Sequence, residues 1–261
     1  MAIDITEAHL LQEILFYSLV GFLAQLVDGA IGMAYGLTAT SVMLTHGVSP
    51  AMASAGVHAA EVATTALSGL AHWRLGHVIP RLVLRLALPG IAGGVVGALL
   101  AGHLPMAWLK PAVSLYLVGM GLLILRRAVF NRGGNAARAD RDATRIGFGG
   151  GFLDAIGGGG WGPLVTSTLI GRGLDPKLAI GSSNAAEFFV TAAVTVAFLT
   201  TIGVEIWPIV LGLVIGGAIA APFAALATRL MPARPLMGVV GVVITLLAGT
   251  SLVREATRLF A

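Results

Sequence analysis

The chain has 261 residues, of which 57% are hydrophobic and 11% are charged, and its formal net charge is +4. Soluble domains carry roughly 25% charged residues, so this composition excludes an ordinary soluble protein and indicates one that spans a membrane. The chain has no cysteine, which excludes disulfides and thiolate metal sites. The positive charge lies mostly in predicted loops, where it reports membrane orientation and not nucleic-acid binding.

Long apolar segments recur from one end of the chain to the other. Each is close to the roughly 20 residues that a helix needs to cross a bilayer, and each is continuous, unlike the alternating strands of a membrane barrel. The start of the chain is acidic, so we expect the first segment to be retained and not cleaved as a signal peptide. We predict an all-α, multi-pass membrane protein with spans at or near residues 14–27, 51–71, 82–104, 112–125, 184–202, 206–226 and 236–253.

Two apolar segments contain glycines where a spanning helix would not be expected to place them. The first is Gly29–Gly36. The second is Gly157–Gly162 in the stretch DAIGGGGWGP, with four consecutive glycines at residues 157–160. Glycine permits backbone conformations that a helix forbids, and irregular backbone inside a membrane must be buried in protein or line a cavity. We predict a helix break at each position, forming a re-entrant or broken hairpin. Close helix packing through the glycines is the alternative.

The two halves of the chain are related by an offset of 126 residues. An ungapped comparison of residues 21–61 with residues 147–187 gives thirteen identities. Two of them are carboxylates, because Asp28 aligns with Asp154 and Glu61 aligns with Glu187. A biased composition inflates such matches, but it does not readily align two carboxylates. We predict two structural repeats, residues 1–130 and 146–261, joined by a basic cytoplasmic linker, residues 131–145.

Basic residues mark the predicted cytoplasmic side of the membrane. Turns near residues 46, 103–105 and 203–205 are poor in lysine and arginine, so we predict them on the outside. Each repeat then crosses an odd number of times, as a hairpin plus about three transmembrane helices, and the repeats are inverted. Inverted repeats are typical of secondary transporters. The basic residues used are Arg74, Arg81, Arg85, six arginines between 126 and 145, Arg172, Lys177, Arg229 and Arg234.

Ionisable side chains inside the membrane each cost at least about 2.5 kcal/mol and usually mark a transport pathway. Asn184 and Glu187 repeat the spacing of His58 and Glu61, without the histidine. The aspartates could instead cap the helices after the breaks, and the glutamates could join helices structurally. The carboxylates predicted to set the charge of a site are Asp28, Glu61, Asp154 and Glu187, and two histidines, His58 and His72, accompany them.

The predicted substrate site lies where the two breaks meet. Broken helices place free N–H groups and positive dipole ends near the midplane, which suits an anion. Carboxylates beside an anion must be protonated or neutralised by N–H groups, so coupling to protons is one expectation. Each site residue has a structural alternative in packing or hydrogen bonding. The predicted substrate-binding set is Tyr35, His58, Gly158, Gly159, Gly160, Trp161, Ser182, Ser183 and Asn184.

The most distinctive motifs of the chain lie in four stretches, GFLAQLVDGAIGMAYG (21–36), GVSPAMASAGVHAAEV (47–62), GFLDAIGGGGWGPLV (151–165) and IGSSNAAEF (180–188). They resemble the sulfite exporter TauE/SafE family of membrane permeases, and the resemblance covers nearly the whole chain. The resemblance implies a transporter of sulfite, thiosulfate or an organosulfonate in a bacterial-type inner membrane. The family's glycine triplet and following proline map onto residues 158–160 and Pro163. The first repeat has Gly32, Met33 and Ala34 in place of the triplet.

We therefore expect a secondary transporter of small sulfur oxyanions that works by alternating access and is driven by protons, Na⁺ or the membrane potential. Its expected partners are the anion, the lipid bilayer and, as an open alternative, a second copy of the chain, with no nucleic acid and no cofactor. No nucleotide-binding motif occurs, and His58-Ala-Ala-Glu61 lacks the second histidine of a zinc hydrolase, so we do not expect an enzyme. The alternative function is a Na⁺ or divalent-cation carrier that uses the intramembrane carboxylates.

Overall fold

The computed structural model describes residues 5–31, 33–130, 136–202, 207–230 and 233–260, and all elements within these ranges are helical. The first half contains α1 (Ile5–Ile31), α2 (Tyr35–Thr45), α3 (Pro50–Arg74), α4 (Pro80–His103) and α5 (Met106–Val129). The second half contains α6 (Ala136–Gly157), α7 (a π-helical stretch, Gly162–Thr166, continued by the α-helix Ser167–Gly171), α8 (Pro176–Thr201), α9 (Trp207–Leu230) and α10 (Ala233–Phe260).

Apolar outer surfaces confirm the predicted all-α, multi-pass membrane protein. Large side chains such as Leu88 and Leu115 are more than 60% exposed, which is expected of groups that face lipid. Helix α3 carries a row of buried polar residues, Ser54, His58, Glu61 and Thr65. Among the described residues, the helices long and apolar enough to span a bilayer are His9–Asp28, Pro80–His103, Met106–Arg126 and Lys177–Thr201, with shorter apolar stretches at Trp207–Ala220 and Gly241–Arg254.

Both predicted helix breaks are present. α1 ends at Ile31 and α2 begins at Tyr35, with Gly32 outside the described residues; α6 ends at Gly157, and residues 158–160 are not helical. Gly158, Gly159 and Gly160 have φ angles of 67°, 127° and 148°, a region of backbone space that side chains make costly. The glycine run is therefore required by the backbone conformation at this break.

Each break is the turn of a hairpin that returns to the side of the protein from which it started. Phe16 in α1 packs against His46, just past the end of α2, with ring centroids 4.7 Å apart. At the positions 126 residues later, Asp142 in α6 forms an ion pair with Arg172 at the end of α7. The same hairpin is thus closed at equivalent residues in both halves, by a ring contact in one and by charge in the other.

Matching caps begin the two central helices, α3 and α8. The Ser49 side chain accepts a hydrogen bond from the N–H of Met52 at 3.3 Å, and the Asp175 side chain accepts one from the N–H of Lys177 at 2.9 Å. In both helices a proline follows the cap, where its missing N–H costs nothing. The two caps are 126 residues apart, which is the offset of the sequence comparison.

The two halves interlock. α1 packs against α9 and α6 against α4, while α3 pairs with α8 and α5 with α10. An offset of 126 residues maps α1 onto α6 and α4 onto α9, so the first two pairings are equivalent contacts. The same offset maps α3 onto α8 and α5 onto α10, so each of the last two pairings joins a helix to its own equivalent. Glycine permits the close approach, because a Cβ on Gly21 or on its equivalent Gly147 would collide with the backbone of Leu213 or Leu86.

The predicted basic linker, residues 131–145, is helical from Ala136, where α6 begins. Residues 131–135 of the linker and the predicted outer turn at 203–205 lie outside the described residues. The helix allows the basic segment to lead directly into the second hairpin.

Candidate functional site

A buried cavity lies where the two hairpins meet. Gly36, in the first turn of α2, faces the second break so closely that a Cβ there would lie 2.6 Å from Cα of Gly159. The Thr40 hydroxyl donates a hydrogen bond to the carbonyl of Gly158, which ties the hairpins together. The cavity has a volume of about 30 Å³, which is room for roughly two waters.

The cavity lies halfway along the two central helices. Glu61 is the twelfth of the 25 residues of α3, and Glu187 is the twelfth of the 26 residues of α8. Both side chains line the cavity and are less than 10% exposed. Helices of this length rise by roughly 38 Å, and the two carboxyl groups lie near their midpoints.

Two half-helices begin at the cavity. The N–H of Tyr35 at the start of α2 donates to Asp28 Oδ1 at 3.3 Å, and the N–H of Trp161 just before α7 donates to Asp154 Oδ1 at 2.9 Å. Both aspartates thus accept a backbone N–H at the start of the helix that follows the break, as the capping alternative predicts. First-turn N–H groups have no acceptor within the helix and carry the positive end of its dipole.

The cavity is lined by acidic side chains. Asp28, Glu61 and Glu187 all line it, and none of the described lining residues is lysine or arginine. Glu61 is 5% exposed, and its Oε2 atom has no hydrogen-bond partner among the described residues. The site therefore has an excess of negative groups that only a proton, a cation or the N–H groups of the half-helices can offset.

His58 lies behind the cavity wall and joins α3 to the second hairpin. Its Nδ1 atom is 2.8 Å from the carbonyl oxygen of Ser54, and its Nε2 atom is 3.1 Å from Asp154 Oδ2. A carbonyl only accepts hydrogen bonds, so Nδ1 donates. An ionised Asp154 carboxylate also only accepts, and with it Nε2 donates as well and the ring is an imidazolium.

The same region contains a candidate metal-binding cluster. One possible ligand atom from each of His58, Glu61 and Asp154 lies within 4.8 Å of the others. The two nitrogens of His58 are both engaged in hydrogen bonds, so the ring has no free lone pair to offer a metal ion. The arrangement is better suited to an internal ion pair than to metal binding.

The profile of the family described as "Sulfite exporter TauE/SafE" matches residues 17–251, which include both hairpins and both central helices. The chain belongs to this family. It is 40% identical over 255 residues to the probable membrane transporter protein YtnM of Bacillus subtilis (strain 168), a match that covers 94% of this chain and 84% of that protein. No solved structure matches the chain.

The family assignment confirms the resemblance expected from the sequence motifs. This TauE/SafE protein is a multi-pass membrane transporter and not an enzyme, as its family and its relative indicate. Its cavity lies within the part of the chain that the family profile covers.

Some residues predicted to bind substrate in this TauE/SafE transporter have other partners. Trp161 is fully buried and donates from Nε1 to Ser183 Oγ at 2.9 Å, and Ser182 Oγ accepts from the N–H of Ile79 at 2.9 Å. The carbonyl of Gly159 accepts from the Tyr116 hydroxyl at 3.0 Å. Seven of the predicted residues do not line the cavity: His58, Asp154, Gly158, Gly159, Trp161, Ser182 and Ser183.

Other predicted residues do meet at the cavity, and the sequence analysis missed several more. Thr64, Thr65 and Ser68 line it at three, four and seven residues after Glu61, which is one face of α3. This helical spacing from Glu61 could have predicted all three residues from the sequence. Gln25 in α1 was missed too. The predicted residues that line the cavity are Asp28, Tyr35, Glu61, Gly160, Asn184 and Glu187.

His72, the remaining ionisable residue of the predicted set, lies away from the cavity. Its Nδ1 atom is 3.3 Å from Nδ1 of His77, beyond the end of α3.

Proposed function

We propose that the chain is a secondary transporter of small sulfur oxyanions, with sulfite as the reference substrate, and that the anion binds in the cavity between the hairpins. The observation that carries the proposal is the convergence of two half-helix N-termini on one cavity at mid-helix depth. Gly36 and Gly162, which are equivalent in the repeat, line the cavity at these termini. Helix N-termini bind anions through backbone N–H groups and the dipole, without a basic side chain.

The size of the cavity supports a small substrate. Space for roughly two waters suits an ion of a few atoms, whereas drug-sized ligands occupy pockets of about 300 Å³ or more. The hydroxyl groups of Thr64, Thr65 and Ser68 supply further donors along the α3 side. Sulfite, which presents only acceptor oxygens, therefore fits better than a larger organosulfonate.

The packing of the two halves supports alternating access between inverted repeats, residues 1–130 and 146–261. Each half contributes one hairpin to the cavity, and α1 with α9 repeats the contact of α6 with α4. Two equivalent sets of contacts allow the protein to adopt two related packings around a fixed site. In this mechanism one set tightens as the other loosens, which opens the cavity to each side in turn.

Coupling to a cation or a proton follows from the charge of the cavity. An anion placed beside Asp28, Glu61 and Glu187 is repelled unless positive charge accompanies it. Proton or Na⁺ movement in the same direction as the anion would provide that charge. The same three carboxylates favour the second candidate function, a cation carrier, because hard cations bind clusters of oxygen ligands.

Uptake into proteoliposomes separates these functions. We expect saturable uptake of radioactive sulfite, competition by thiosulfate, and no Na⁺ or divalent-cation flux when the anion is omitted. Asn184→Leu removes the cavity amide and should abolish sulfite uptake while the protein still elutes as a single folded species. Cation flux without any anion would favour the carrier. Unchanged sulfite flux in the variant would remove Asn184 from the site.

A further inference from the structure

The repeat places two equivalent triads in the middle of the protein. The first triad is His58, Glu61 and Asp154, and the second, at an offset of 126 residues, is Asn184, Glu187 and Asp28. Each triad takes two residues from a central helix and an aspartate from the hairpin of the other half. The two triads have the same pair of carboxylates, but only the first has an imidazole.

The first triad contains its own cation. Both nitrogens of His58 donate, one to the Ser54 carbonyl at 2.8 Å and one to the Asp154 carboxylate at 3.1 Å, and the ring is fully buried. A buried charge is tolerated when it is paired and hydrogen-bonded. One imidazolium thus offsets one unit of the negative charge that the two carboxylates bring.

The second triad lacks such a cation and opens onto the cavity. Asn184 is neutral, and it donates from Nδ2 to Ser68 Oγ at 2.6 Å. All three of its members line the cavity, whereas only Glu61 does so from the first triad. The amide carbonyl of Asn184 and the two carboxylates are oxygen ligands of the kind that hard cations prefer.

The space around the first triad is filled, which explains why the cavity lies on one side. Thr64 lines the cavity, whereas the equivalent residue of α8, Val190, packs with Trp161 against Gly90 of α4. The packing is close, because a Cβ on Gly90 would lie 2.8 Å from Val190 and 2.9 Å from Trp161. Apolar side chains and the His58 ring therefore occupy in one half the volume that the other half leaves open.

Glu61, which lines the same cavity, has a buried carboxylate oxygen without a partner among the described residues. Oε2 of Glu61 has no hydrogen-bond partner among the described residues, the side chain is 5% exposed, and the residue lines the same cavity as the second triad. A buried carboxylate oxygen without a partner is costly, so a ligand with positive charge is expected beside it.

We propose that a monovalent cation, Na⁺, binds at the second triad, in the place that the His58 imidazolium takes in the first. Carboxylate oxygens of Asp28 and Glu187 and the carbonyl oxygen of Asn184 are its ligands. A single charge is assigned because the first triad holds a single cation. The inference rests on the proposed function, since the bound Na⁺ neutralises the site for the anion, and broken-helix transporters place Na⁺ and anion together near the midplane.

The test is equilibrium binding of radioactive Na⁺ to the purified full-length protein in nanodiscs, with no sulfite present. We expect saturable binding that unlabelled Na⁺ displaces and choline does not. Asn184→His gives the second triad its own imidazolium, and should abolish binding. Thr200→His, at the exposed end of the same helix, is the matched control and should bind Na⁺ as the parent does.

Absence of saturable binding in the parent, or unchanged binding in Asn184→His, would overturn the proposal. If Asn184→His does not fold, Asp28→Asn removes a ligand charge while keeping an acceptor for the Tyr35 N–H, and should weaken binding. Sulfite uptake is measured separately. Na⁺ binding without sulfite flux would contradict only the proposed substrate, and sulfite flux without Na⁺ binding would contradict only the cation site.

Discussion

Ala34 has a φ angle of 102°, the left-handed region that side chains normally avoid, and Gly160 occupies the equivalent position in the second hairpin. A residue held in such a conformation costs of order 1–3 kcal/mol and persists where the surrounding structure imposes it. Ala34 is buried and lies two residues before Gly36, which packs against Gly159 of the second hairpin.

Ala34→Gly should raise the thermal stability of the protein, because glycine adopts this conformation without the steric cost. Part of the gain is offset by the greater freedom of glycine in the unfolded chain, about 0.4–1 kcal/mol. Unfolding temperature in detergent is the measurement. Ala39→Gly, in the helical interior of α2, is the control and should lower it. A fall of similar size in both variants would show that Ala34 is not strained.

The two helix breaks could be predicted from the sequence, but the segments that pack against them could not. The run at residues 157–160 and the apolar segments around it indicated a break, because no helix needs four glycines in succession. Spacing along α3 was sufficient to find Thr64, Thr65 and Ser68. The sequence could not show that the cavity lies on one side only. That position depends on His58 and Trp161, which fill the other side through contacts between segments distant in the chain.

The hairpin contact itself can be tested at Gly36. Gly36→Ala would place a Cβ 2.6 Å from Cα of Gly159 and 3.0 Å from Glu61 Oε1, so the hairpins must separate. Overpacking of this kind costs about 1–3 kcal/mol, and we expect transport to be lost with it. The unfolding temperature and sulfite uptake are both measured for this variant.

The matched control is Gly149→Ala in α6, where an added Cβ would meet no atom within 4 Å. Alanine at an open helical position should be neutral or stabilising by up to about 1 kcal/mol. Equal behaviour of the two variants would contradict a close contact between the hairpins.

Alternating access as proposed requires that the two halves of the chain are inserted into the membrane in opposite directions. Val48 and Leu174 are equivalent loop residues, each just after its hairpin. Inverted repeats place them on opposite sides of the membrane, whereas parallel repeats place them on the same side. The chain has no native cysteine, so single-cysteine variants report position without background.

Val48→Cys should react with an impermeant thiol reagent added outside intact cells, and Leu174→Cys should react only after the membrane is opened. Basic residues at Arg172 and Lys177 favour the cytoplasm for the second site. Labelling of both variants from the same side would contradict the inverted arrangement.

The position of a bound anion tests most directly whether the substrate site lies between the two hairpins. Selenite has the shape and charge of sulfite and contains a heavy atom that anomalous diffraction locates. Crystals grown with selenite should show one selenium peak in the cavity between Gly36 and Gly162, beside Asn184. A selenium peak elsewhere in a protein whose sulfite uptake selenite inhibits would contradict a binding site between the two hairpins.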